Sequence, residues 1–448
     1  MSIYKDCDVR GIYPDEIDEG ATYCVGRALA TLHPGAKIAV GGDARLSTPL
    51  LKSALIRGLT EGGAAVTDLG PIPTPALYWA LKHLDVEGGA TVTASHNPPR
   101  YNGVKFMFGS QPVNREIMDR VEAVVRSGRF HEGAGSVVAA DILPDYIASM
   151  TTRFHAARPL KIVADAGNGM MGRVAPEAMR RCGYEVVELF CEPDGRFPNR
   201  SPNPAEYSCL GAACEKVVAE GADFGVAFDG DGDRAVFIDD KGRPVTNEKS
   251  LVLFIRKLLK GHPTPVVYDQ KSSSVVKRAA LDMGGTPTPE RSGHAFIKRR
   301  FLQVGAAVAG EVSGHFFFGD LGYDDALYAA LLMAELLSET DAPLSALADG
   351  IALPPITPDL RVPCAYARQD EWLARVEAAA AENGGAISHL DGVRADFPDG
   401  WLLMRKSVTA EQVTLRAEAD TPERLRQLLE LVAGVLPEAA ASAILGRA

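Results

Sequence analysis

The chain has 448 residues, of which 46% are hydrophobic and 23% are charged, and its formal net charge at pH 7 is −11. This length exceeds a single hydrophobic core and predicts about three or four domains, since one domain takes roughly 100–200 residues. The negative charge argues against a nucleic acid or an anionic membrane as a partner. The seven cysteines form no Cys-x-x-Cys pair, the N-terminus does not resemble a signal peptide, and no apolar run is long enough to span a bilayer. We therefore expect a cytoplasmic protein without a disulfide framework or a zinc site.

Helix and strand patterns alternate along the first third of the chain. The spacing of apolar residues predicts helices over 18–32, 49–60 and 76–83, and strands over 37–41, 65–69 and the residues that end at Ser95. This alternation predicts a mostly parallel sheet covered by helices.

The same α/β pattern begins again twice, and a different pattern follows it. The second copy is predicted to have helices over 142–155, 173–182 and 207–219 and strands over 160–165, 184–189 and 223–228. The third copy is predicted to have helices over 248–260 and 324–338 and strands over 265–268 and 306–309. Beyond a proline-rich linker at 354–358, helices over 369–382 and 421–435 flank strands within 385–405 and 412–418. This last part predicts a smaller α+β domain.

The stretch Thr91–Lys105 contains the first candidate for chemistry. A β-branched run ends at Ser95 and His96, and the following Asn97-Pro98-Pro99 can continue neither a helix nor a central strand. We expect Ser95 to lie exposed at the end of a strand and to carry the chemistry. Two rival interpretations are a polar turn with a chance Ser-His pair and half of a hydrolase pair.

A second cluster, Asp229-Gly-Asp-Gly-Asp-Arg234, follows an apolar strand. Carboxylates at alternate positions of a loop can converge on one point, and three of them suit a hard cation such as Mg²⁺ or Ca²⁺. An EF-hand loop is the obvious rival, but its sixth position requires glycine where this chain has Arg234, and its twelfth requires glutamate where the chain has Asp240. Because Mg²⁺ prefers few carboxylates and a phosphate oxygen, the cluster predicts a phosphate partner. A solvated acidic turn and a non-catalytic Ca²⁺- or sugar-phosphate-binding protein are two further rival hypotheses.

The segment Gly167-Asn-Gly-Met-Met-Gly172 spells the dinucleotide-binding fingerprint between a predicted strand and a predicted helix, with Glu188 about twenty residues further on. An NAD-dependent dehydrogenase is therefore a rival hypothesis. Asp165 would place a negative charge beside the pyrophosphate, which favours an ordinary strand-to-helix turn.

Three further segments have the composition of ligand loops. Arg291-Ser-Gly-His294 opens a helix that carries Lys298, Gly310–His315 ends a strand, and Arg405–Thr409 lies in the last domain. A helix start with basic and hydroxyl groups suits a phosphate, and Glu311 and Ser313 could hydrogen-bond sugar hydroxyls.

The motifs together resemble the α-D-phosphohexomutase family, and within it the phosphomannomutase/phosphoglucomutase group. The resemblance spans nearly the whole chain. It rests on these segments: Asp8-Val-Arg-Gly11, Thr93-Ala-Ser-His-Asn-Pro98, Asn102-Gly-Val-Lys105, the Asp229–Arg234 loop, Gly310–His315 and the Arg405 loop.

The resemblance implies three α/β domains with mixed sheets and a fourth α+β domain around a central cleft, with boundaries that we place at 1–141, 142–245, 246–356 and 357–448. It implies a phosphoserine at Ser95 and one Mg²⁺ per chain bound by Asp229, Asp231, Asp233 and the Ser95 phosphate. It implies that Arg10, His96 and Lys105 surround the phosphoserine. The residues implied to bind substrate are Arg234, Lys271, Gly293, His294, Glu311, Ser313, Arg405, Ser407 and Thr409.

The implied activity is that of an isomerase interconverting a hexose 6-phosphate and a hexose 1-phosphate, of mannose or glucose, through a hexose 1,6-bisphosphate. A phosphoglucosamine mutase is the alternative within the family. The implied partner is a small sugar phosphate, and we expect a monomer or a weak homodimer. Three positions depart from the family pattern: Cys7 replaces a tyrosine, Gly42 an arginine and Val408 an asparagine.

Overall fold

The computed structural model describes residues 2–407 and 411–446. Its strands form four separate sheets, one of six strands and three of five strands. Within the described residues, no helix combines the length and the apolar character that crossing a bilayer requires.

The first domain is built on the six-stranded sheet. Its strands are β1 (Val9–Ile12), β2 (Lys37–Gly42), β3 (Ala65–Pro71), β4 (Gly88–Val92), β5 (Tyr101–Phe108) and β6 (Ser136–Ala139). Its helices are α1 (Glu19–Leu32), α2 (Thr48–Glu61), α3 (Thr74–His83) and α4 (Arg115–Ser127). Helix α1 begins at Asp18, whose side chain accepts a hydrogen bond from the amide of Ala21 and so satisfies one of the free amides at the helix start.

The second domain contains α5 (Leu143–Thr151), β7 (Lys161–Asp165), α6 (Ala175–Arg181), β8 (Glu185–Leu189), α7 (Gly211–Glu220), β9 (Phe224–Phe228), β10 (Ala235–Asp239) and β11 (Pro244–Val245). The third contains α8 (Asn247–Leu258), β12 (Pro265–Asp269), α9 (Ser274–Asp282), β13 (Thr286–Glu290), α10 (His294–Val304), β14 (Val308–Gly310), β15 (Phe316–Phe318), β16 (Tyr323–Asp324), α11 (Ala326–Ser338) and α12 (Leu344–Asp349). The fourth contains β17 (Leu360–Pro363), α13 (Tyr366–Glu382), β18 (Ala386–Ser388), β19 (Val393–Phe397), β20 (Gly400–Lys406), β21 (Gln412–Ala419), α14 (Pro422–Ala433) and α15 (Glu438–Leu445).

The first three sheets share one topology. In each, three parallel strands are followed by an antiparallel strand: β3-β2-β4 then β5, β8-β7-β9 then β10, and β13-β12-β14 then β15. The loops that join the third parallel strand to the antiparallel strand are therefore equivalent in the three domains. These loops contain Ser95, the Asp229–Arg234 cluster and Glu311–His315, respectively. The fold thus aligns the three candidate loops before any side chain is considered.

The prediction of three α/β domains with mixed sheets and a smaller fourth domain is confirmed. The expectation of a mostly parallel sheet in the first third of the chain holds for β2, β3, β4 and β6, whereas β5 is antiparallel to β4. The predicted helix over 173–182 is divided into a 3₁₀ turn, Met170–Arg173, and α6. The boundaries proposed for the four domains stay predictions.

The largest clusters of buried apolar residues do not correspond one to one with the four domains. One cluster of buried apolar residues runs from Ala39 in the first domain through the second domain to Ile351 in the third. The fourth domain has a core of its own, from Leu360 to Ile444. Polar contacts such as Arg416 Nη2 to Glu248 Oε1, 2.8 Å, join it to the third domain. The first three domains are therefore joined by apolar packing, and the fourth is attached through charged and polar groups.

Substitution of Gly26 on α1 tests how closely α1 packs against α2. A Cβ on Gly26 would lie 2.4 Å from the main-chain oxygen of Leu55 on α2, so Gly26→Ala must push the two helices apart. We expect a loss of about 1–3 kcal/mol of unfolding free energy, measured by urea denaturation. Gly20→Ala on the same helix is the control, because its Cβ would meet nothing closer than 3.4 Å. It should be neutral or stabilising by up to about 1 kcal/mol, and equal destabilisation by both variants would contradict the account.

Candidate active site

Ser95 follows β4 and lies against the acidic loop of the second domain. Its backbone is left-handed, with φ +51°, and its hydroxyl donates to Asp229 Oδ2 at 3.0 Å. The expectation that Ser95 is exposed is wrong: only 2% of its surface is accessible. The reason is that the acidic loop covers it, to the point that a Cβ on Gly230 would lie 2.7 Å from the main-chain oxygen of Ser95. The serine is thus enclosed between two domains.

The acidic loop fixes the carboxylate of Asp229 through its own backbone. Asp229 Oδ1 accepts hydrogen bonds from the amides of Gly232, Asp233 and Arg234, at 2.9, 3.1 and 3.2 Å. The side chains of Asp229, Asp231 and Asp233 are fully buried, and each offers an oxygen within 4.8 Å of the others. The predicted convergence of these carboxylates on one point is therefore what the loop adopts.

Lys105 on β5 supplies positive charge to this cluster. Its Nζ lies 2.8 Å from Asp231 Oδ2 and 2.7 Å from Asp233 Oδ2, and Thr74 Oγ1 donates to Asp231 Oδ2 at 2.7 Å. Among the described residues, Oδ1 of Asp231 and Oδ1 of Asp233 are buried without a hydrogen-bond partner. Buried carboxylate oxygens normally have partners, so these two atoms fit a hard cation, whose preferred ligands are oxygens.

The charges shift the acidities of these groups in different directions. Burial, with the carboxylates of Asp233 and Asp231, raises the pKa of Asp229 well above its ordinary value. Burial acts to raise the pKa of Asp231 as well, but the Lys105 ammonium outweighs it, and that pKa is lowered. Burial would lower the pKa of Lys105, but the carboxylates of Asp231 and Asp233 raise it well above its ordinary value. Lys105 is therefore a fixed positive charge at neutral pH.

His96 and Arg10 complete the surroundings of Ser95. Nδ1 of His96 lies 3.3 Å from Ser95 Oγ, and burial, followed by nearby cations that include Arg234, lowers the pKa of His96 well below its ordinary value. Arg10 on β1 donates from Nη1 to Asn97 Oδ1 at 3.0 Å and pairs with Asp8. A cavity of about 220 Å³ opens here between the first and third domains. The predicted site residues that line it are Arg10, Ser95, His96, Lys105, Arg234, Gly293 and His294.

Two histidines of the third domain meet at one carboxylate. Asp324 Oδ2 lies 2.9 Å from His294 Nε2 and 2.9 Å from His315 Nδ1. Arg234 Nε donates to His315 Nε2 at 3.0 Å, so the proton of a neutral His315 resides on Nδ1 and faces Asp324. Burial acts to raise the pKa of Asp324, but the two histidines hold it well below its ordinary value. Sequence reasoning missed Asp324, whose only signal is an acidic pair, Asp324-Asp325, before an apolar helix.

A second group of charges lies where the third and fourth domains meet. Arg405 Nη1 is 2.6 Å from Asp391 Oδ2, which also accepts from the amide of Ser292 at 3.3 Å. The Ser292 hydroxyl donates to Asp269 Oδ1 at 2.7 Å, and Lys271 Nζ lies 3.7 Å from Asp269 Oδ2. Lys271 and Arg405, predicted from distant segments, thus belong to one network. Because Ser292 immediately precedes Gly293 and His294, the start of α10 connects this network with the Ser95 cavity.

The remaining predicted substrate residues lie near this network or outside the described chain. Lys271 Nζ also donates to Asp359 Oδ2 at 2.9 Å, and the amide of Ser407 donates to the carbonyl of Gln412 at 3.0 Å. Glu311 and Ser313 lie in the turn after β14, and the Ser313 hydroxyl is buried without a hydrogen-bond partner among the described residues. Thr409 and Val408 lie outside the described residues.

Comparison with known proteins gives the same relationship for every part of the chain. The four models of the phosphoglucomutase/phosphomannomutase family match in order: α/β/α domain I over 2–132, domain II over 144–242, domain III over 246–353 and the C-terminal domain over 360–435. The phosphomannomutase/phosphoglucomutase of Pseudomonas aeruginosa is 36% identical over 436 residues, which cover 95% of this chain and 94% of that protein. The chain belongs to the phosphoglucomutase/phosphomannomutase family.

Two further members of this family agree with that assignment. A phosphoglucomutase of Neisseria gonorrhoeae is 37% identical, with 95% of each chain covered. The crystal structure of a phosphoglucomutase/phosphomannomutase family protein from Burkholderia thailandensis superimposes with a TM-score of 0.92, at 33% identity, covering 98% of this chain and 97% of that one.

The glycine-rich turn at Gly167 supports the acidic loop in this family member. Gly169 is required because a Cβ there would lie 2.8 Å from the carbonyl oxygen of Gly230 and 2.9 Å from that of Asp229. The guanidinium of Arg200 occupies the space beside Gly167. The dinucleotide-binding hypothesis is therefore not favoured: the glycines permit close packing on the acidic loop, and an arginine covers the turn.

Two of the three departures from the family pattern lie within the described residues. Cys7 lines the Ser95 cavity, and burial, with the charges of Asp8 and Asp6, raises the pKa of its thiol to about 12. Gly42 ends β2, where a Cβ would lie 2.5 Å from Thr48 Cγ2. An arginine at position 42 would therefore require Thr48 to move.

Lys298 on α10, which belongs to one of the segments with the composition of a ligand loop, is a buried cation. Its Nζ lies 3.7 Å from the centre of the Tyr78 ring and 3.8 Å from Met107 Sδ, and within the described chain no carboxylate lies at ion-pair distance. Burial lowers the pKa of Lys298 to about 8.

This lowered pKa predicts a pH-dependent stability. Between about pH 8 and the ordinary lysine pKa of 10.5 the unfolded chain binds more protons at this position than the folded chain, so folding stability rises with pH across that window. Lys298→Met should stabilise the protein most near pH 7, and the gain should shrink as pH rises through the window, by urea denaturation. Lys37→Met is the control, because its exposed ammonium pairs with Asp85. A gain that is independent of pH would contradict the account.

Proposed function

We propose that the chain is a phosphohexomutase that interconverts a hexose 6-phosphate and a hexose 1-phosphate of mannose or glucose. The observation that carries this proposal is the 3.0 Å contact of the Ser95 hydroxyl with Asp229 Oδ2, inside a cluster of three buried carboxylates from another domain. A hydroxyl in that position can carry a phosphoryl group beside a cation site. The names of the relatives from Pseudomonas and Neisseria support mannose and glucose over glucosamine as the sugar.

In this proposal phosphorylated Ser95 donates its phosphoryl group to the free hydroxyl of the sugar phosphate. The bond between phosphorus and Ser95 Oγ breaks and a bond from phosphorus to the sugar oxygen forms, while the sugar hydroxyl passes its proton to a base and Ser95 Oγ takes up a proton to become a hydroxyl again. The product, a hexose 1,6-bisphosphate, turns over in the cleft and returns its other phosphoryl group to Ser95. Because such a transfer needs little covalent work from the protein, positioning and electrostatics supply most of the rate.

His96 and Lys105 have different roles in this scheme. The lowered pKa of His96 keeps its imidazole neutral at pH 7, which supports it as the group that takes and returns the hydroxyl proton. Lys105 stays charged and would stabilise negative charge on the transferring group. Arg10, which lines the same cavity, would do the same.

We propose that the cation is one Mg²⁺ per chain, held by Asp229, Asp231, Asp233 and the phosphate on Ser95. The buried, unpartnered Oδ1 atoms of Asp231 and Asp233 support this donor set. When bound, the ion would withdraw charge from the phosphoryl group. The chain's own contribution is the loop backbone, which fixes Asp229 through three amides before any ligand enters.

The second charged network suits the phosphate that is not being transferred. Arg405 and Lys271 are neutralised by Asp391 and Asp359, so an incoming phosphate would exchange with those carboxylates. Ser407 and Thr409 would add hydroxyl donors. Glu311 and Ser313 would contact sugar hydroxyls, and Arg234, Gly293 and His294 would contact the ligand between the two sites. A fourth domain with a separate core can adjust as the bisphosphate turns.

We extend the proposal to the setting of the enzyme. The proposed partner is a small sugar phosphate, and the net charge of −11 argues against a nucleic acid or an anionic membrane as a partner. The proposed setting is the cytoplasm, and the proposed oligomeric state is a monomer or a weak homodimer.

Ser95→Ala tests the proposed carrier. The variant should lose at least about 10³-fold of the rate of converting glucose 1-phosphate to glucose 6-phosphate, since no group remains to carry the phosphoryl. Intact mass spectrometry after incubation with glucose 1,6-bisphosphate should show one added phosphoryl group in the wild type and none in the variant. Ser53→Ala, an exposed serine on α2, is the matched control and should behave as wild type. Full activity in Ser95→Ala would overturn the proposal.

A further inference from the structure

Two buried arginines bond to the main chain beside the candidate site, one near Ser95 and the other next to the acidic loop. Arg45, of the first domain, is 1% exposed, and Arg200, of the second domain, is 7% exposed. Neither belongs to the motifs that resemble the family, and neither lines the Ser95 cavity. A buried guanidinium is costly unless its donors are satisfied, so the acceptors that satisfy them indicate what each arginine is for.

Arg45 directs four of its five N–H donors at main-chain carbonyls of residues 95–101, which comprise the loop with Ser95 and the first residue of β5. Nη2 donates to the carbonyls of Ser95, at 2.8 Å, and Asn97, at 2.6 Å. Nη1 donates to those of Pro98, at 2.7 Å, and Tyr101, at 3.0 Å. The fifth donor, Nε, pairs with Asp43 at 3.0 Å. The planar guanidinium of Arg45 therefore binds four main-chain carbonyls of this segment at once.

Asp43 connects this arrangement to the other side of Ser95. Its Oδ2 also accepts from Thr93 Oγ1 at 2.8 Å, and Thr93 Oγ1 in turn accepts from the amide of Ser95 at 2.8 Å. Both the amide and the carbonyl of Ser95 are thus fixed by one network. Because Ser95 has a left-handed backbone, which costs a non-glycine residue of order 1–3 kcal/mol, such a network is what keeps it there.

Arg200 makes a related connection at the end of β9, the strand that leads into the acidic loop. Its Nη2 donates to the carbonyl of Phe228, the residue before Asp229, at 2.7 Å. Its Nε donates to Asp165 Oδ2 at 2.7 Å, and Asp165 Oδ1 accepts from the amide of Gly167 at 2.8 Å. Asp165 at the end of β7 and Asp43 after β2 occupy equivalent places in the two sheets. A buried arginine that pairs with an aspartate at or just after the end of a central strand therefore occurs in both domains.

We infer that Arg45 and Arg200 are positioning residues with separate tasks: Arg45 places the Ser95 hydroxyl, and Arg200 places the carboxylates of the acidic loop. This inference rests on the proposed function. It predicts that the two arginines affect different steps, although both are buried and both hold backbone carbonyls. A purely structural role predicts no such separation.

Arg45→Lys and Arg200→Lys form a matched pair, because each keeps a positive charge but loses the planar fork of donors. The first measurement is the rate of phosphoryl transfer from glucose 1,6-bisphosphate to dephosphorylated Ser95, by rapid quench and intact mass. The second is the affinity for Mg²⁺, by calorimetry. The third is the thermal unfolding midpoint.

Arg45→Lys should slow the transfer by about 10²-fold, the order expected for a misplacement of about 1 Å, with unchanged Mg²⁺ affinity. Arg200→Lys should weaken Mg²⁺ binding by about tenfold or more, and saturating Mg²⁺ should restore its transfer rate. Equal losses of transfer in both variants at saturating Mg²⁺, in proportion to their losses of stability, would overturn the inference.

A milder pair keeps the test decisive if Arg45→Lys does not fold. Thr93→Val removes the hydroxyl that accepts from the Ser95 amide, and Thr22→Val removes an equally buried hydroxyl that bonds the Asp18 carbonyl in α1. Thr93→Val should slow transfer and Thr22→Val should not; equal rates would overturn the role of the Arg45 network. A wild type that accepts no phosphoryl group would overturn the proposed function as well, whereas failure of the variants alone overturns only the positioning inference.

Discussion

Three carboxylates buried within 4.8 Å of one another on a single loop are the constraint on which the rest of this structure depends. Buried like charges repel strongly and are stable only when cations or hydrogen-bond donors surround them. Here the loop's own amides hold Asp229, and Lys105 reaches across from the first domain to Asp231 and Asp233. The electrostatic requirement of the second domain is thus met largely by the first, and it brings Ser95 against the loop.

The same topology in three domains makes this meeting possible. Each of the first three sheets places a loop between its third parallel strand and an antiparallel strand, and an acidic residue at or after its central strand: Asp43, Asp165 and Asp269. In two domains that acid pairs with an arginine that bonds to main-chain carbonyls in or next to the loop, and in the third it lies 3.7 Å from Lys271, a predicted substrate-binding residue. A repeated structural device has therefore been retained for support in two domains and is available for binding in the third.

The apolar cores divide the molecule along functional lines. One cluster of buried apolar residues crosses the first three domains, although the first domain also has a core of its own, and this cluster suits a site that must hold Ser95, the acidic loop and the start of α10 in register. The fourth domain, which contributes Arg405, has its own core and meets the third through polar groups. A fourth domain with a core of its own is compatible with the proposed reorientation of a bisphosphate in the cleft.

Local sequence was sufficient to predict the parts of the site that are contiguous in the chain. Ser95-His96 and the Asp229 loop were found because a hydroxyl before Asn-Pro-Pro, and carboxylates at alternate positions, are visible within six residues. The exposure of Ser95 was predicted wrongly, because what covers it comes from a loop more than 130 residues away.

Long-range packing explains the other misses. Arg45, Arg200 and Asp324 act through main-chain carbonyls or through histidines from other segments, and no local pattern distinguishes them from ordinary charged residues. Gly167–Gly172 fits a dinucleotide site by its spelling, but the space its glycines leave is filled by Arg200 and the acidic loop, in agreement with the ordinary turn that the sequence favoured.

The central claim is that the carboxylate loop and a phosphate on Ser95 together form one cation site. The most direct measurement is the affinity for Mg²⁺, by calorimetry, of protein phosphorylated at Ser95 and of the same protein after dephosphorylation. The account predicts one Mg²⁺ per chain and tighter binding to the phosphorylated form, because the phosphate supplies a ligand oxygen that the hydroxyl does not. Equal affinity in the two forms, or tighter binding to the dephosphorylated form, would contradict it.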